Sequence, residues 1–216
     1  MPVDASVRWT VLVPLKALPR AKSRLAGFSP DADSHALLVR AMRSDTVRAA
    51  REAPNVARVV RIGDRAAAEH DLVQTRPGLN EAIAEGAQHA RDRWPDDAVA
   101  ALVGDLPAMT VAELAHALDS AAGQLRGFVA DSAGSGTTLL TAVPGADLDP
   151  QFGPGSAARH AVRATALAAG PGLRQDVDTA ADLRAALLLG VGPRTLAAVA
   201  AMTRRESSAI HPDRAS

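Results

Sequence analysis

The sequence contains no cysteine and no tyrosine, and aromatic side chains make up only 2% of its 216 residues. Without cysteine the chain can form no disulfide, hold no metal through thiolates and use no cysteine nucleophile. Because aromatic side chains are scarce, Ala, Leu and Val must build most of the hydrophobic core. The same scarcity removes the stacking platforms on which single-stranded nucleic acids bind.

The chain also lacks an excess of charge of either sign, since Lys plus Arg and Asp plus Glu each number 24. A general nucleic-acid binder needs a basic face, so zero net charge argues against that class but allows one small basic pocket. Residues 1–7 hold no apolar signal region, and no apolar run is long enough to span a bilayer. We therefore expect a cytoplasmic location and no membrane partner.

What the sequence does contain is a regular alternation of apolar runs and Ala-rich stretches, which is typical of a mostly parallel sheet flanked by helices. With 47% hydrophobic residues, we expect one α/β domain over 1–216, with a core at about 7–202 and a polar, frayed tail at 203–216. The predicted strands cover 8–15, 56–62, 98–103, 128–131 and 137–143. The predicted helices cover 34–52, 80–91, 110–122, 156–169, 179–189 and 195–202.

Basic residues are concentrated directly after the first predicted strand. This segment holds both lysines of the chain, Lys16 and Lys22, together with Arg20 and Arg24. In open α/β sheets the ligand crevice lies outside the carboxyl ends of the strands, where four cations could neutralise a triphosphate. The segment has neither a Walker spacing nor G-x-G-x-x-G, and a solvated basic turn is an equally good interpretation of these residues alone.

Three carboxylates form a second group. Asp105 follows the most apolar predicted strand. Asp176 and Asp178 lie in an extended segment with one residue between them, so these two side chains should face the same side. Facing carboxylates repel each other unless a cation lies between them, and hard oxygen ligands suit Mg²⁺. The alternatives are that Asp105 forms a turn and that Asp178 or Thr179 caps the next helix.

Two glycine-rich loops form a third group, at 131–138 (DSAGSGTT) and 152–156 (FGPGS). Glycine lets a backbone approach an anion closely, and the hydroxyls of Thr137 and Thr138 add donors. Ser156 stands at a predicted helix N-terminus, where free N–H groups and the helix dipole favour an anion. Each loop taken alone is explained by an ordinary turn or helix cap. Because two loops of this kind occur together, they indicate a binding site for a second, acidic ligand.

The remaining polar residues give weaker signals. Gly78 and Asn80 could contact a base edge, although chemistry alone favours an ordinary loop and helix cap. The six histidines show no metal-ligand spacing, and no Ser/His/Asp arrangement is visible.

Taken in order, these segments resemble one family along nearly the whole chain, from about Val11 to Thr195. The pattern VPLK…AKSRL, RPGLN, GDLPAM, GSGTTLL, FGPGS…H and LRQDVDTAADL is similar to the phosphoenolpyruvate and 2-phospho-L-lactate guanylyltransferases of coenzyme F-420 biosynthesis. The resemblance implies a GT-A-like (Rossmann-like) nucleotidyltransferase fold with a mostly parallel central sheet.

The resemblance also implies a role for each group of residues. Three cations would bind the phosphates of GTP: Lys16, Lys22 and Arg24. Two residues would lie beside the nucleoside: Gly78 and Asn80. Three carboxylates would hold Mg²⁺: Asp105, Asp176 and Asp178. Three residues would bind the phosphorylated acid: Thr138, Gly153 and Ser156. The implied catalytic set is Lys16, Lys22 and Asp105.

The reaction that the resemblance implies joins GMP from GTP to phosphoenolpyruvate and releases pyrophosphate. The partners would be GTP, a small phosphorylated carboxylic acid and the next enzyme of the pathway. The acids 2-phospho-L-lactate and 3-phosphoglycerate stay open as acceptors. Two other functions remain alternatives. One is a sugar-phosphate nucleotidyltransferase, although the G-x-G-T-R motif usual near the start of that class is absent. The other is a non-catalytic nucleotide-binding regulator.

The basic segment gives a first testable prediction. Replacing Lys22 by Ala should raise the KM for GTP by roughly tenfold, because one charge-assisted contact to a phosphate is lost. Steady-state kinetics would measure it, with Lys22→Arg as the control that keeps the charge. If Lys22→Ala had the same kinetics as the unsubstituted chain, the basic segment would be only a surface turn without a role in GTP binding.

Overall fold

A seven-stranded mixed sheet forms the centre of the part that the computed structural model describes, which is residues 7–15 and 31–210. The strand order is β3-β2-β1-β4-β6-β5-β7. All neighbouring strands pair in parallel except β6, which runs antiparallel to both β4 and β5. The strands are β1 (Trp9–Pro14), β2 (Val56–Gly63), β3 (Leu72–Val73), β4 (Ala98–Leu102), β5 (Arg126–Ala130), β6 (Thr137–Ala142) and β7 (Thr165–Ala166). The expected mostly parallel α/β sheet is confirmed.

Helices cover both faces of the sheet. They are α1 (Ala32–Glu52), α2 (Leu79–Arg93), α3 (Val111–Ala121), α4 (Ser156–His160), α5 (Pro171–Arg174), α6 (Ala180–Leu189) and α7 (Pro193–Ile210). The five predicted strands and the predicted helices that match α1, α2, α3 and α6 differ from these bounds by at most two residues at each end. Of the described helices, none is both long and apolar enough to cross a membrane.

The central strands are apolar because both of their faces are buried. Val11 and Val13 of β1 pack with α1 and α3 on one face, whereas Leu12 packs against α2 on the other. All five residues of β4 are buried, and three of them are alanine. This lack of alternation is what a parallel strand between two helical layers requires.

Capping boxes fix the start of two helices that follow the predicted carboxylates. The Thr110 hydroxyl accepts from the backbone N–H of Glu113, and the Glu113 carboxylate accepts from the backbone N–H of Thr110, as predicted. Thr179 and Asp182 make the same reciprocal pair at α6. The cap of α6 is therefore Thr179 and not Asp178.

The prediction of one helix over 156–169 is wrong. The helix α4 ends at His160, and residues Thr165–Ala166 form β7, which pairs in parallel with β5. The Ala-rich composition favours a helix locally, but pairing along the edge of the sheet overrides that weak preference. The same local reasoning missed the short elements β3 and α5.

The helix α7 continues to Ile210, past residue 203, where we expected the polar tail to begin. A buried carboxylate of α1 anchors the start of this helix. Asp45 is 2% exposed and accepts from the backbone N–H of Thr195 at 2.7 Å, the Thr195 hydroxyl at 2.7 Å and the backbone N–H of Arg194 at 3.3 Å. The carboxylate thereby supplies a cap that sequence-local capping rules do not find.

This anchor gives a second prediction. Replacing Asp45 by Ala should lower the free energy of unfolding by about 1–3 kcal/mol, because it leaves buried N–H and O–H donors without their acceptor. Urea denaturation would measure the change. As the control, Glu52→Ala removes an exposed carboxylate from the same helix and should change stability by less than about 0.5 kcal/mol. Equal stability of the two variants would contradict the anchoring role.

Candidate active site

A cavity of about 550 Å³ opens beyond the carboxyl ends of β1 and β4. This is where ligands bind in open α/β sheets, and the volume lies in the range of small-molecule sites. Its wall is built from the end of β1, the segment after β4, one side of α1, the start of α2 and both glycine-rich loops. The sheet topology therefore brings most of the residue groups found in the sequence to one place.

The three predicted carboxylates all line this cavity. Two segments far apart in the chain are joined here, because the backbone N–H of Val177 donates to the carbonyl of Asp105 at 3.1 Å. The Val177 side chain is fully buried, so the residues on either side of it, Asp176 and Asp178, are presented to the opposite side. Both carboxylates therefore belong to the lining of one cavity, and their role as metal ligands stays a prediction.

Only hard oxygen donors are contributed by these three residues, which fits the preference of Mg²⁺ for carboxylates. In residues 7–15 and 31–210, no group of three or more His, Asp or Glu side chains is close enough to enclose a metal on its own. Mg²⁺ ordinarily takes one or two protein carboxylates and completes its shell with water and substrate phosphates. The donor set therefore fits a metal that binds together with a phosphorylated substrate.

Arg43 of α1 is a cavity residue that the sequence reasoning missed. Burial lowers the pKa of its guanidinium, and the carboxylates of Asp105 and Asp64 counteract part of that shift. An arginine nevertheless stays protonated in proteins, so a half-buried positive charge faces the carboxylates. A signal was present in the sequence: Arg43 adjoins Met42 and lies one turn after Val39, on the apolar side of a predicted helix.

The first glycine-rich loop is shaped by Asp131. Its carboxylate accepts from the backbone N–H of Ser135 at 2.9 Å and of Gly136 at 2.8 Å. A Cβ atom on Gly136 would lie 2.3 Å from the Asp131 carboxylate, so no larger residue fits in this arrangement. The loop thereby brings Gly136 and Thr137 to the cavity wall.

The hydroxyl at this wall belongs to Thr137 and not to the predicted Thr138. The ladder between β6 and β5 is irregular here, with a register shift between Val129 and Ala130, and the two neighbouring threonines have different surroundings. Thr138 is 1% exposed, and its hydroxyl lies 3.5 Å from the carbonyl of Val129. Thr137 lines the cavity, together with Gly153 and Ser156 of the second loop, so two of the three residues predicted to bind the acid are brought together.

Gly78 and Asn80 are not part of the cavity lining, whereas Leu79 between them is. The Asn80 amide donates to the carbonyl of Phe152 at 3.1 Å and accepts from its backbone N–H at 2.7 Å. Both ends of this amide are therefore used to fix the second glycine-rich loop against α2. A contact of Gly78 or Asn80 with a nucleoside stays a prediction.

The three predicted cations lie outside the described residues. Lys16, Lys22 and Arg24 fall in the segment 16–30, directly after Leu15. Pro14, the last residue of β1, lines the cavity. The phosphate-binding roles of the three cations stay predictions.

A buried histidine supports the wall on the side of the glycine-rich loops. His160 is 3% exposed; its Nδ1 lies 2.8 Å from the Thr137 hydroxyl, and its Nε2 accepts from the backbone N–H of Gln151 at 3.0 Å. Burial, with a smaller contribution from the charge of Arg159, lowers the pKa of His160 to about 4, although Asp149 opposes the shift. The imidazole is therefore neutral near pH 7.

Comparison with known proteins bears directly on this site. The profile of the family described as "Guanylyl transferase CofC like" matches residues 9–197. The chain belongs to this CofC-like family. The matched range includes the three carboxylates, both glycine-rich loops and the basic segment.

Two relatives and one solved structure illustrate the similarity. The phosphoenolpyruvate guanylyltransferase of Streptomyces coelicolor is 48% identical over 90% of this chain and 97% of its own length. That of Streptomyces scabiei is 47% identical, with the same coverage. A crystal structure from Desulfovibrio desulfuricans G20, assigned to the nucleotide-diphospho-sugar transferases, superposes with a TM-score of 0.69 at 16% identity, covering 95% of this chain and 98% of that one. This last likeness shows the fold alone.

The depressed pKa of His160 gives a third prediction. The unfolded histidine would take up a proton near pH 6.5, whereas the folded one does so only at about 4. The neutral His160 therefore contributes fully to stability above pH 6.5. As the pH falls towards 4, this contribution is lost, and the free energy of unfolding should decrease by about 1–3 kcal/mol. Denaturation at several pH values would measure the slope.

The control for this measurement separates His160 from the other acid-titrating groups. His160→Phe should flatten the pH dependence in that interval, whereas His116→Gln, at an exposed site on α3, should leave it unchanged. If stability depended on pH equally in His160→Phe and in the unsubstituted chain, the assignment of this pH dependence to His160 would be contradicted.

Proposed function

We propose that this chain is a phosphoenolpyruvate guanylyltransferase, which transfers GMP from GTP to phosphoenolpyruvate in coenzyme F-420 biosynthesis and releases pyrophosphate. The observation that carries the proposal is the 48% identity to a relative of that name over 90% of the chain. The cavity supports it, because carboxylates and the donors of two glycine-rich loops line the same space.

In this reaction an oxygen of the acceptor phosphate forms a bond to the α-phosphorus of GTP. The bond from that phosphorus to the oxygen bridging to the β-phosphate breaks, and the electron pair leaves with pyrophosphate. The acceptor phosphate is already ionised at neutral pH, so no general base is needed. Catalysis then depends on positioning and on neutralisation of charge.

We assign the metal to the three carboxylates, with Asp105, Asp176 and Asp178 as its protein ligands. Bound there, Mg²⁺ would neutralise phosphate charge and polarise the phosphoryl group under attack. Arg43 adds a fixed positive charge to the cavity lining, close enough to Asp105 to interact with its carboxylate. Lys16, Lys22 and Arg24 would contact the phosphates of GTP, with Gly78 and Asn80 near the nucleoside.

The phosphorylated acid would bind at the glycine-rich loops. Gly153 has φ +123°, a conformation that side-chain-bearing residues rarely adopt, and lies in the wall with Ser156. Thr137 replaces Thr138 as the hydroxyl donor, because only Thr137 lines the cavity. The enzyme that consumes the product is a candidate partner.

The function is tested by measuring pyrophosphate release, in the presence of Mg²⁺, from each pairing of the four nucleoside triphosphates with three phospho-acids and, for comparison, with a sugar 1-phosphate. Release with GTP and phosphoenolpyruvate alone is the expected result. Release with GTP and either 2-phospho-L-lactate or 3-phosphoglycerate would identify that acid as the acceptor. Release with a sugar 1-phosphate would favour a sugar-phosphate nucleotidyltransferase, and tight GTP binding without any release would favour a regulator.

A fourth prediction concerns the carboxylates. Asp105→Asn and Asp178→Asn should each lower kcat by about 100-fold or more, because a charged metal ligand becomes neutral while the shape is kept. Asp147→Asn is the control, since this exposed aspartate pairs with Arg91 and is not part of the cavity lining. Full turnover in either carboxylate variant would refute the metal assignment.

A further inference from the structure

The resemblance and the proposed reaction leave His160 without a role. It lies behind the cavity wall, in contact with the wall residue Thr137, and the Ser156 hydroxyl lies 3.1 Å from the Thr137 hydroxyl. All three side chains are at most 6% exposed. They form a short buried chain of polar groups that ends at the cavity.

The direction of the hydrogen bonds in this chain is set by a backbone group. The N–H of Gln151 can only donate, so the Nε2 atom of His160 that it reaches at 3.0 Å must be unprotonated. A neutral imidazole carries its one hydrogen on the other nitrogen. Nδ1 therefore carries it and donates to the Thr137 hydroxyl oxygen at 2.8 Å.

Counting hydrogens shows what the hydroxyl pair presents to the cavity. Thr137 and Ser156 own one hydroxyl hydrogen each, and the bond between them uses one of the two. His160 donates its own Nδ1 hydrogen to Thr137, so it uses neither of the two hydroxyl hydrogens. One hydroxyl hydrogen is therefore left over, and both hydroxyls belong to residues of the cavity wall.

We propose that His160 is a positioning residue, which orients the Thr137–Ser156 hydroxyl pair so that it donates a hydrogen bond to an anionic oxygen of the phosphorylated acid. This proposal rests on the proposed function and deepens it. The pair is held as a donor, so it favours an acceptor substrate that brings an ionised oxygen to this wall. His160 itself touches no substrate.

A purely structural role makes different predictions. The His160 ring also packs against Phe128 and Phe152, at centroid distances of 6.3 and 5.1 Å. If packing were its only task, a phenylalanine would replace it without any effect on substrate binding in the folded enzyme. Substitutions that keep or remove single nitrogens separate the two cases.

The experiment measures steady-state kinetics of the full chain with GTP, phosphoenolpyruvate and Mg²⁺. His160→Phe keeps a ring but removes both nitrogens, and it should raise the KM for phosphoenolpyruvate about tenfold with little change in the KM for GTP. His160→Asn places an amide donor near the Nδ1 position and should restore most of the affinity. His160→Gln, whose amide reaches the Nε2 position, should behave like His160→Phe.

A double substitution tests whether the effect runs through Thr137. Thr137→Val removes the hydroxyl that His160 orients and should raise the KM for phosphoenolpyruvate by roughly tenfold or more. Adding His160→Phe to it should cause no further increase, because nothing is left to orient. Independent, multiplying effects would overturn the proposal, as would a shift confined to the KM for GTP.

Failure of this proposal is distinguishable from failure of the proposed function. If the unsubstituted chain releases no pyrophosphate with any acid, the function fails. If it is active and a folded His160→Phe variant has an unchanged KM for phosphoenolpyruvate, the positioning role fails. Thermal unfolding of each variant establishes that it is folded.

A measurement on the unsubstituted chain keeps the proposal testable even if the variants do not fold. Long-range ¹H–¹⁵N correlation spectra of the histidine rings report which nitrogen carries the hydrogen. The Nδ1–H form, less common in free histidine, is expected for His160. A hydrogen on Nε2 would overturn the proposal.

Discussion

The site depends on the short backbone segment Asp105–Pro107, where three distant parts of the chain meet. The carbonyl of Asp105 accepts from the N–H of Val177, the N–H of Leu106 donates to the buried Thr46 hydroxyl of α1, and the carbonyl of Pro107 accepts from the N–H of Gly192. Each bond satisfies a backbone group that would otherwise be unpaired where the chain leaves a buried strand. Together they fix the carboxylates of Asp105, Asp176 and Asp178 around one cavity.

The opposite wall is held by polar groups in a different way. The Asn80 amide pairs with the backbone of Phe152, and His160 pairs with the backbone of Gln151, so the second glycine-rich loop is held from both α2 and α4. Glycines let this loop approach a ligand, but they also make it costly to order. The amide and the imidazole offset that cost and leave the hydroxyls of Thr137 and Ser156 at the wall.

Prediction from the sequence succeeded where the signal was local and periodic. The apolar run of β4 and the capping box at Thr110 identified their elements, and the i, i+2 spacing of Asp176 and Asp178 placed both carboxylates on one side. It failed where pairing between distant segments decided the outcome. The Ala-rich stretch after His160 became an edge strand because β5 was available to pair with it.

The sequence by itself determined the alternation of strands and helices, the groups of carboxylates, cations and glycines, and the family to which the chain belongs. These follow from side-chain chemistry and from spacings within a few residues. Tertiary structure alone decided that Thr137 and not Thr138 lines the cavity, that Arg43 joins it and that His160 stands behind it. Those facts depend on which face of a strand or helix meets the cavity, and that is set by packing between residues far apart in the chain.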